Sequence, residues 1–144
     1  MVEIRLAYLT DAQELQRLTN IFNEGESNTI EGIEESLRNN KQEIVCVAVD
    51  GNKLVGFCCG QLQISMCYAY DYAVITEFYV SDEYRQQGVG RRLLMATEEK
   101  FNERGVTHFH VATSNDNHAA LALYRSCGYG DTSIMLEKEM KSEL

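Results

Sequence analysis

Val80-Ser81-Asp82-Glu83-Tyr84-Arg85-Gln86-Gln87-Gly88-Val89-Gly90-Arg91-Arg92-Leu93-Leu94 is the stretch on which the fold turns. It closes an apolar run, passes through a charged turn and opens a helix. Arg85 to Gly90 reads R-x-x-G-x-G. The first N–H groups of a helix lack partners within it and carry partial positive charge. Gly88 and Gly90 have no Cβ, so a ligand can lie against the main chain there. Arg85, Arg91 and Arg92 bracket the turn in a chain of net charge −9. The spot is therefore suited to an anion, and phosphate is a common occupant of a helix N-terminus. The plainer alternative is loop-punctuating glycines beside a solvated arginine face. A dinucleotide fold is excluded, because Leu93 stands where its third glycine belongs and the motif comes late in the chain.

Around that stretch, 144 residues predict one domain over 1–144 with a real core. No apolar run approaches a membrane span, and Met1 to Arg5 is too polar for a signal peptide. Cys46, Cys58, Cys59, Cys67 and Cys127 form no C-x-x-C pair and mostly lie in apolar runs. Buried thiols in a cytoplasmic protein are expected, with neither a disulfide framework nor a metal site. The acidic balance argues against a nucleic-acid partner and suits a cationic substrate. Nothing in the physics accounts for the absence of proline.

Residues 3–7 read as a first strand. Thr10 and Gln13 are placed for a capping box opening a helix with Leu15, Leu18 and Phe22 on one face, stopped near Gly25. A second helix begins at Thr29 and carries Ile30, Ile33 and Leu37. Between Glu24 and Glu35 there are five glutamates and no lysine or arginine, either a solvated face or an acidic rim for a cation. Residues 44–49 and 54–64 form strands joined by an Asp50-Gly51 hairpin. A tyrosine-bearing connection leads to a strand over 72–80. The helix over 88–103 turns Val89, Leu93, Ala96 and Phe101 to the core. A strand over 107–112 sets His108 and His110 on one face, without an evident third metal ligand. A polar loop, a helix over 118–127 closed by Gly128, and a last strand over 131–138 follow. Strands interleaved with helices predict an α/β mixed sheet covered on both faces.

Val80 to Leu94, with Asn117-x-x-Ala120-x-x-Leu123-Tyr124 and Gly128-Tyr129, resembles the GNAT superfamily of acetyl-CoA-dependent N-acetyltransferases. The likeness is strong from about residue 73 to 129, and the order of elements before it agrees. It implies a sheet of mostly antiparallel N-terminal strands with a splayed parallel pair in its centre. It implies acetyl-CoA as cosubstrate, its pyrophosphate held by Arg85, Gln86, Gln87, Gly88, Val89, Gly90 and Arg91. The main chain of Phe78 and Val80 would pair with the pantetheine arm. Asn117 matches a position that often bonds near that arm, though an N-cap explains it equally.

The reaction so implied is attack by an amine on a thioester. Val80 N–H would support the oxyanion. Tyr124 matches the family tyrosine that protonates the departing thiolate; alternatively it is an aromatic on the apolar helix face. Glu77 is the candidate base, with ordered water or an exposed strand glutamate as the competing readings. The expected acceptor is a small cationic amine, polyamine-like or an aminoglycoside. A protein lysine or N-terminal amine is the runner-up, and a non-catalytic acyl-CoA sensor a third reading. Acetyltransferases of this size are often homodimers.

Overall fold

The computed structural model describes residues 1–142. It divides into two compact units, Met1–Val111 and Ala112–Leu144. The first holds a five-stranded sheet in the order β1 (Val2–Leu6), β2 (Glu43–Asp50), β3 (Lys53–Gln63), β4 (Tyr72–Val80) and β5 (Phe109–Val111). The first three pairings are antiparallel and β4–β5 is parallel. Helices α1 (Ala12–Phe22) and α2 (Ile30–Asn39) cover one face, and α3 (Val89–Asn102) covers the other.

The strands sort their side chains by alternation. Toward α1, Val47, Val49, Leu54 and Phe57 bury against Leu15 and Leu18, with Ile33 and Leu37 of α2 at the margin. Toward α3, the buried helix residues are Val89, Leu93, Leu94, Thr97 and Phe101. Ala96 is only half-buried, because the helix rotates Leu94 and Thr97 inward instead. Thr97 avoids an unsatisfied hydroxyl by donating to the Leu93 carbonyl at 2.9 Å. Helix α3 lies close to the sheet because β3 offers glycine beneath it. A Cβ at Gly60 would stand 2.5 Å from Phe101 Cε2, and one at Gly56 would stand 3.1 Å from Leu93 Cδ1.

The first helix starts differently from the sequence expectation. Thr10 does not cap it and Gln13 does not reach back. A short 3-10 turn, Leu9–Asp11, precedes α1, and Asp11 accepts the Tyr8 N–H at 2.6 Å. Arg5 explains the shift: its guanidinium grips Asp11 through two bonds of 2.7 and 3.1 Å and lies over the Tyr8 ring. Elsewhere the local signals hold. Thr29 caps α2 by accepting from Gly32 N–H at 2.9 Å, and Gly51 turns the β2–β3 hairpin with φ +63°.

The second unit contains α4 (His118–Ser126). Gly128, with φ +98°, ends it, and the Tyr129 N–H returns to the Tyr124 carbonyl at 3.0 Å. The strand expected over 131–138 does not form. Ile134, Met135 and Leu136 are exposed, and this run of three apolar residues lacks the alternation a half-buried strand requires. Among the described residues β5 is therefore the sheet's edge, so the parallel pair lies there rather than in the centre.

Candidate active site

Strand β4 carries the site, and one residue decides how. Its apolar positions change parity midway: Ala73 and Ile75, then Phe78 and Val80. In the ladder, Gly60 opposes Ile75 but Cys59 opposes Glu77, leaving Thr76 as an inserted residue. Thr76 Oγ1 bonds the Cys59 carbonyl at 3.3 Å. Without the bulge, Glu77 would share Ile75's face, under α3. With it, Glu77 turns to the α1–α2 face. There it lines a cavity of about 280 Å³ with Thr19, Phe22, Asn28, Ile33 and Phe57.

The surroundings of Glu77 shift its acidity. Burial pushes its carboxyl above the ordinary range, and the nearby Glu43 carboxylate pushes the same way, against a 3.1 Å bond from Thr76 Oγ1. Glu43 is itself held by Ser36 Oγ at 2.9 Å and Gln61 Nε2 at 3.0 Å. One ligand atom each from Glu43, Cys59 and Glu77 fall within 4.8 Å of one another. Burial, then the two carboxylates, raise the Cys59 thiol well above its usual value, so it stays protonated. Of the other cysteines expected to be buried, Cys67 is exposed.

Beyond the bulge, β4 has an open side. The β4–β5 ladder covers only Ala73–Ile75 against Phe109–Val111. Ser81 N–H bonds the Val55 carbonyl at 2.8 Å, so by alternation the Val80 and Phe78 main-chain groups face away from β3. In agreement, the Val80 carbonyl accepts from Arg85 Nε at 2.7 Å on that outer side. The side chain of Phe78, opposite Cys58, points to the α3 face.

The turn after β4 is shaped by two left-handed residues, Gln86 at φ +60° and Gly88 at φ +80°. A non-glycine residue there costs on the order of 1 kcal/mol, so the turn is held by its neighbours. Gln87 Nε2 donates to the Glu83 carbonyl at 2.9 Å, and Arg85 pairs with Asp82 at 2.7 Å. Nothing lies within 4 Å of a Cβ built on Gly88, so the surface at the start of α3 is open. The first helical bond joins Arg92 N–H to the Gly88 carbonyl, which leaves the Val89 and Gly90 amides ahead of it. The Val89 side chain is core, so only its main chain can meet a ligand. Arg91 is exposed. Arg92 does not serve the turn: its guanidinium reaches the Val2 carbonyl at 3.0 Å.

In the second unit, the Asn117 side chain caps α4 by accepting from Ala120 N–H at 3.2 Å. Tyr124 is buried, with the Tyr129 ring edge-on at 5.9 Å. His108 and His110 gather no metal ligands among the described residues; they stack with tyrosines, His108 on Tyr70 and His110 beside Tyr72. A wider groove of about 1120 Å³ runs along Val2 to Ile4, Met95 and Glu99; of the turn's residues only Arg92 lines it, and neither Glu77 nor Tyr124 does. Glu43 and Thr76 escaped the sequence reading. The parity break in 72–80 was the available signal for Thr76; Glu43 had none.

The chain matches the model of the acetyltransferase (GNAT) family over residues 9–129, and it belongs to that family. It is 40% identical over 82 residues to N-alpha-acetyltransferase RimI of Mycobacterium tuberculosis, covering 57% of this chain and 49% of that protein. The chain spans less than half the length of the curated relatives it matches at 34–40% identity. Its fold is similar to aminoglycoside acetyltransferase meta-AAC0020 from an uncultured soil metagenomic sample, solved with sisomicin, with a TM-score of 0.85 and 22% identity over 97% of each chain. AAC(6')-Iy, solved with a CoA-S-monomethyl-acetylneamine bisubstrate analog, gives a TM-score of 0.85 and 17% identity over 99% of each chain. No helix among the described residues is long and apolar enough to cross a membrane.

Proposed function

We propose that the protein transfers the acetyl group of acetyl-CoA to a primary amine by direct attack, and that the acceptor is a small cation. The observation that carries this is Glu77. A bulge turns a half-buried carboxylate into a cavity on the α1–α2 face, and burial, with Glu43, raises its pKa. An alkylammonium has a pKa near about 10 and must lose a proton before it attacks. Glu77 takes that proton, directly or through water, and Glu43 beside it adds a second negative charge for the incoming cation. Val80 N–H, facing away from β3, supports the oxyanion. The turn from Arg85 to Arg91 holds the pyrophosphate with main-chain amides and guanidinium charge. The open surface over Gly88 fits that group. The Phe78 and Val80 main chain aligns the pantetheine arm, with Asn117 near it. Tyr124, on its motif, protonates the leaving thiolate. This reading makes both units one catalytic domain, since the family match crosses their division.

A peptide or protein amine is the second reading, favoured by the 40% identity to RimI. Thiol release from acetyl-CoA, followed side by side with spermidine, kanamycin-like amines and basic peptides, tests both. Turnover with the small cations is expected. Turnover with peptides alone would transfer the assignment to the second reading. CoA binding without turnover on any acceptor would make the protein a sensor. The Tyr124→Phe variant should slow turnover on the accepted amine while leaving acetyl-CoA binding nearly intact by calorimetry.

A further inference from the structure

An exposed row of aromatic rings continues the Glu77 face of the sheet. Ala73 pairs with Phe109, whose ring meets Phe101 of α3 edge-on at 6.4 Å, so both lie on the α3 side. Tyr72, His108 and His110 therefore lie on the opposite face, the one that Glu77 shares. Their rings are packed together: Tyr72 and His110 have centroids 4.9 Å apart, Tyr70 stacks on His108 at 4.2 Å, and Tyr68 leans on Tyr70 at 5.6 Å. Helices α1 and α2 pack over β2 and β3, and the row stays open to solvent, with Tyr68 55% and Tyr70 46% exposed. Grouped, exposed aromatics mark binding surfaces more often than isolated ones do.

We propose that this row is a second acceptor subsite, which holds a distal cationic group of an elongated polyamine while its reacting amine sits at Glu77. The proposal rests on the acetyl-transfer reading above. Charge decides the occupant. Tyrosine faces attract organic cations through the ring quadrupole. The exposed carboxylate of Asp71 adjoins the row, and Glu43 and Glu77 lie farther in on the same face, with no lysine or arginine between Gln61 and Val80. An apolar or anionic partner would gain nothing from those carboxylates. The span follows from the strand: Tyr72 to Glu77 covers roughly 13–16 Å at the usual rise per residue. A short diamine reaches only the inner end. Spermine or a twelve-carbon α,ω-diamine reaches both.

The test is acetylation of α,ω-diamines from four to twelve carbons and of spermine, with matching monoamines as controls for apolar contact. In the wild type, kcat/KM should rise with diamine length, through KM, by about five-fold at the length that spans the row. Tyr70→Ala and Tyr72→Ala should flatten that rise and leave the four-carbon diamine unchanged. Tyr72→Phe, which keeps the ring, should retain it, and equal melting temperatures exclude misfolding. A length dependence that survives both alanine variants, or one matched by the monoamines, overturns the subsite alone. Acetylation of the short diamine with no length dependence does the same. Failure to acetylate any amine in the series overturns the subsite together with the reading beneath it.

Discussion

Glu77 is held in a form its protein would rather discharge. Burial and Glu43 both disfavour its anion, which puts its pKa above that of an unfolded glutamate. A carboxyl whose folded pKa is raised contributes stability that is present in acid and lost as pH rises through that pKa. Glu77→Gln should therefore raise the melting temperature at neutral pH, and the gain should fade below the ordinary glutamate range. The same variant should lower kcat/KM steeply at neutral pH and less at high pH, where free amine is plentiful. A pH–rate profile parallel to the wild type's would leave water as the base. Glu43→Gln removes a repulsion that Glu77 feels, so the acidic limb of the rate profile should move to lower pH. A stationary limb would mean that burial alone sets Glu77's acidity.

Among the elements, the contact of α3 with β3 is the least forgiving. The Phe101 ring occupies the space a side chain at residue 60 would need. Gly60→Ala should cost about 1–3 kcal/mol by overpacking, read as a lower urea midpoint with an unchanged slope. Much at this scale could be read before any coordinates were known. The bounds of β4, the start of α2 near Thr29 and the stop at Gly128 rest on local chemistry, and local chemistry is written in adjacent residues. What failed depended on distant partners. The capping box moved because Arg5 pulls Asp11 across from β1. The strand over 131–138 did not form because a strand exists only through pairing. The anion turn was visible because glycines and arginines announce it. The aromatic row was not, because Tyr70 and Tyr72 meet His108 and His110 only through the β4–β5 pairing.

Across the whole molecule, the link between the chain's start and its first helix is a charge pair. Arg5 and Asp11 are largely shielded, at 19% and 9% side-chain exposure. Burial alone would raise the Asp11 carboxyl; the Arg5 bond and the Tyr8 N–H outweigh it and leave it below the ordinary value. A lowered carboxyl contributes stability that is present above the unfolded range and lost as pH falls through the folded value. Arg5→Met should destabilise the first unit by about 2–3 kcal/mol at pH 7, since it strands a shielded carboxylate. The deficit measured by denaturant titration should shrink toward strongly acid pH. A deficit that stays constant would show that the lost stem packing, rather than the charge, mattered.

The bulge at Thr76 has a further bearing on anyone who aligns or edits this chain. Upstream of it, odd-numbered residues of β4 point to one side; downstream, even-numbered ones do. Deleting Thr76 would close the bulge and leave both halves of the strand on the faces they now hold, whereas a deletion elsewhere in β4 with the bulge kept would invert the part beyond it. An alignment gap placed one position later would set Thr76 in the place of Glu77.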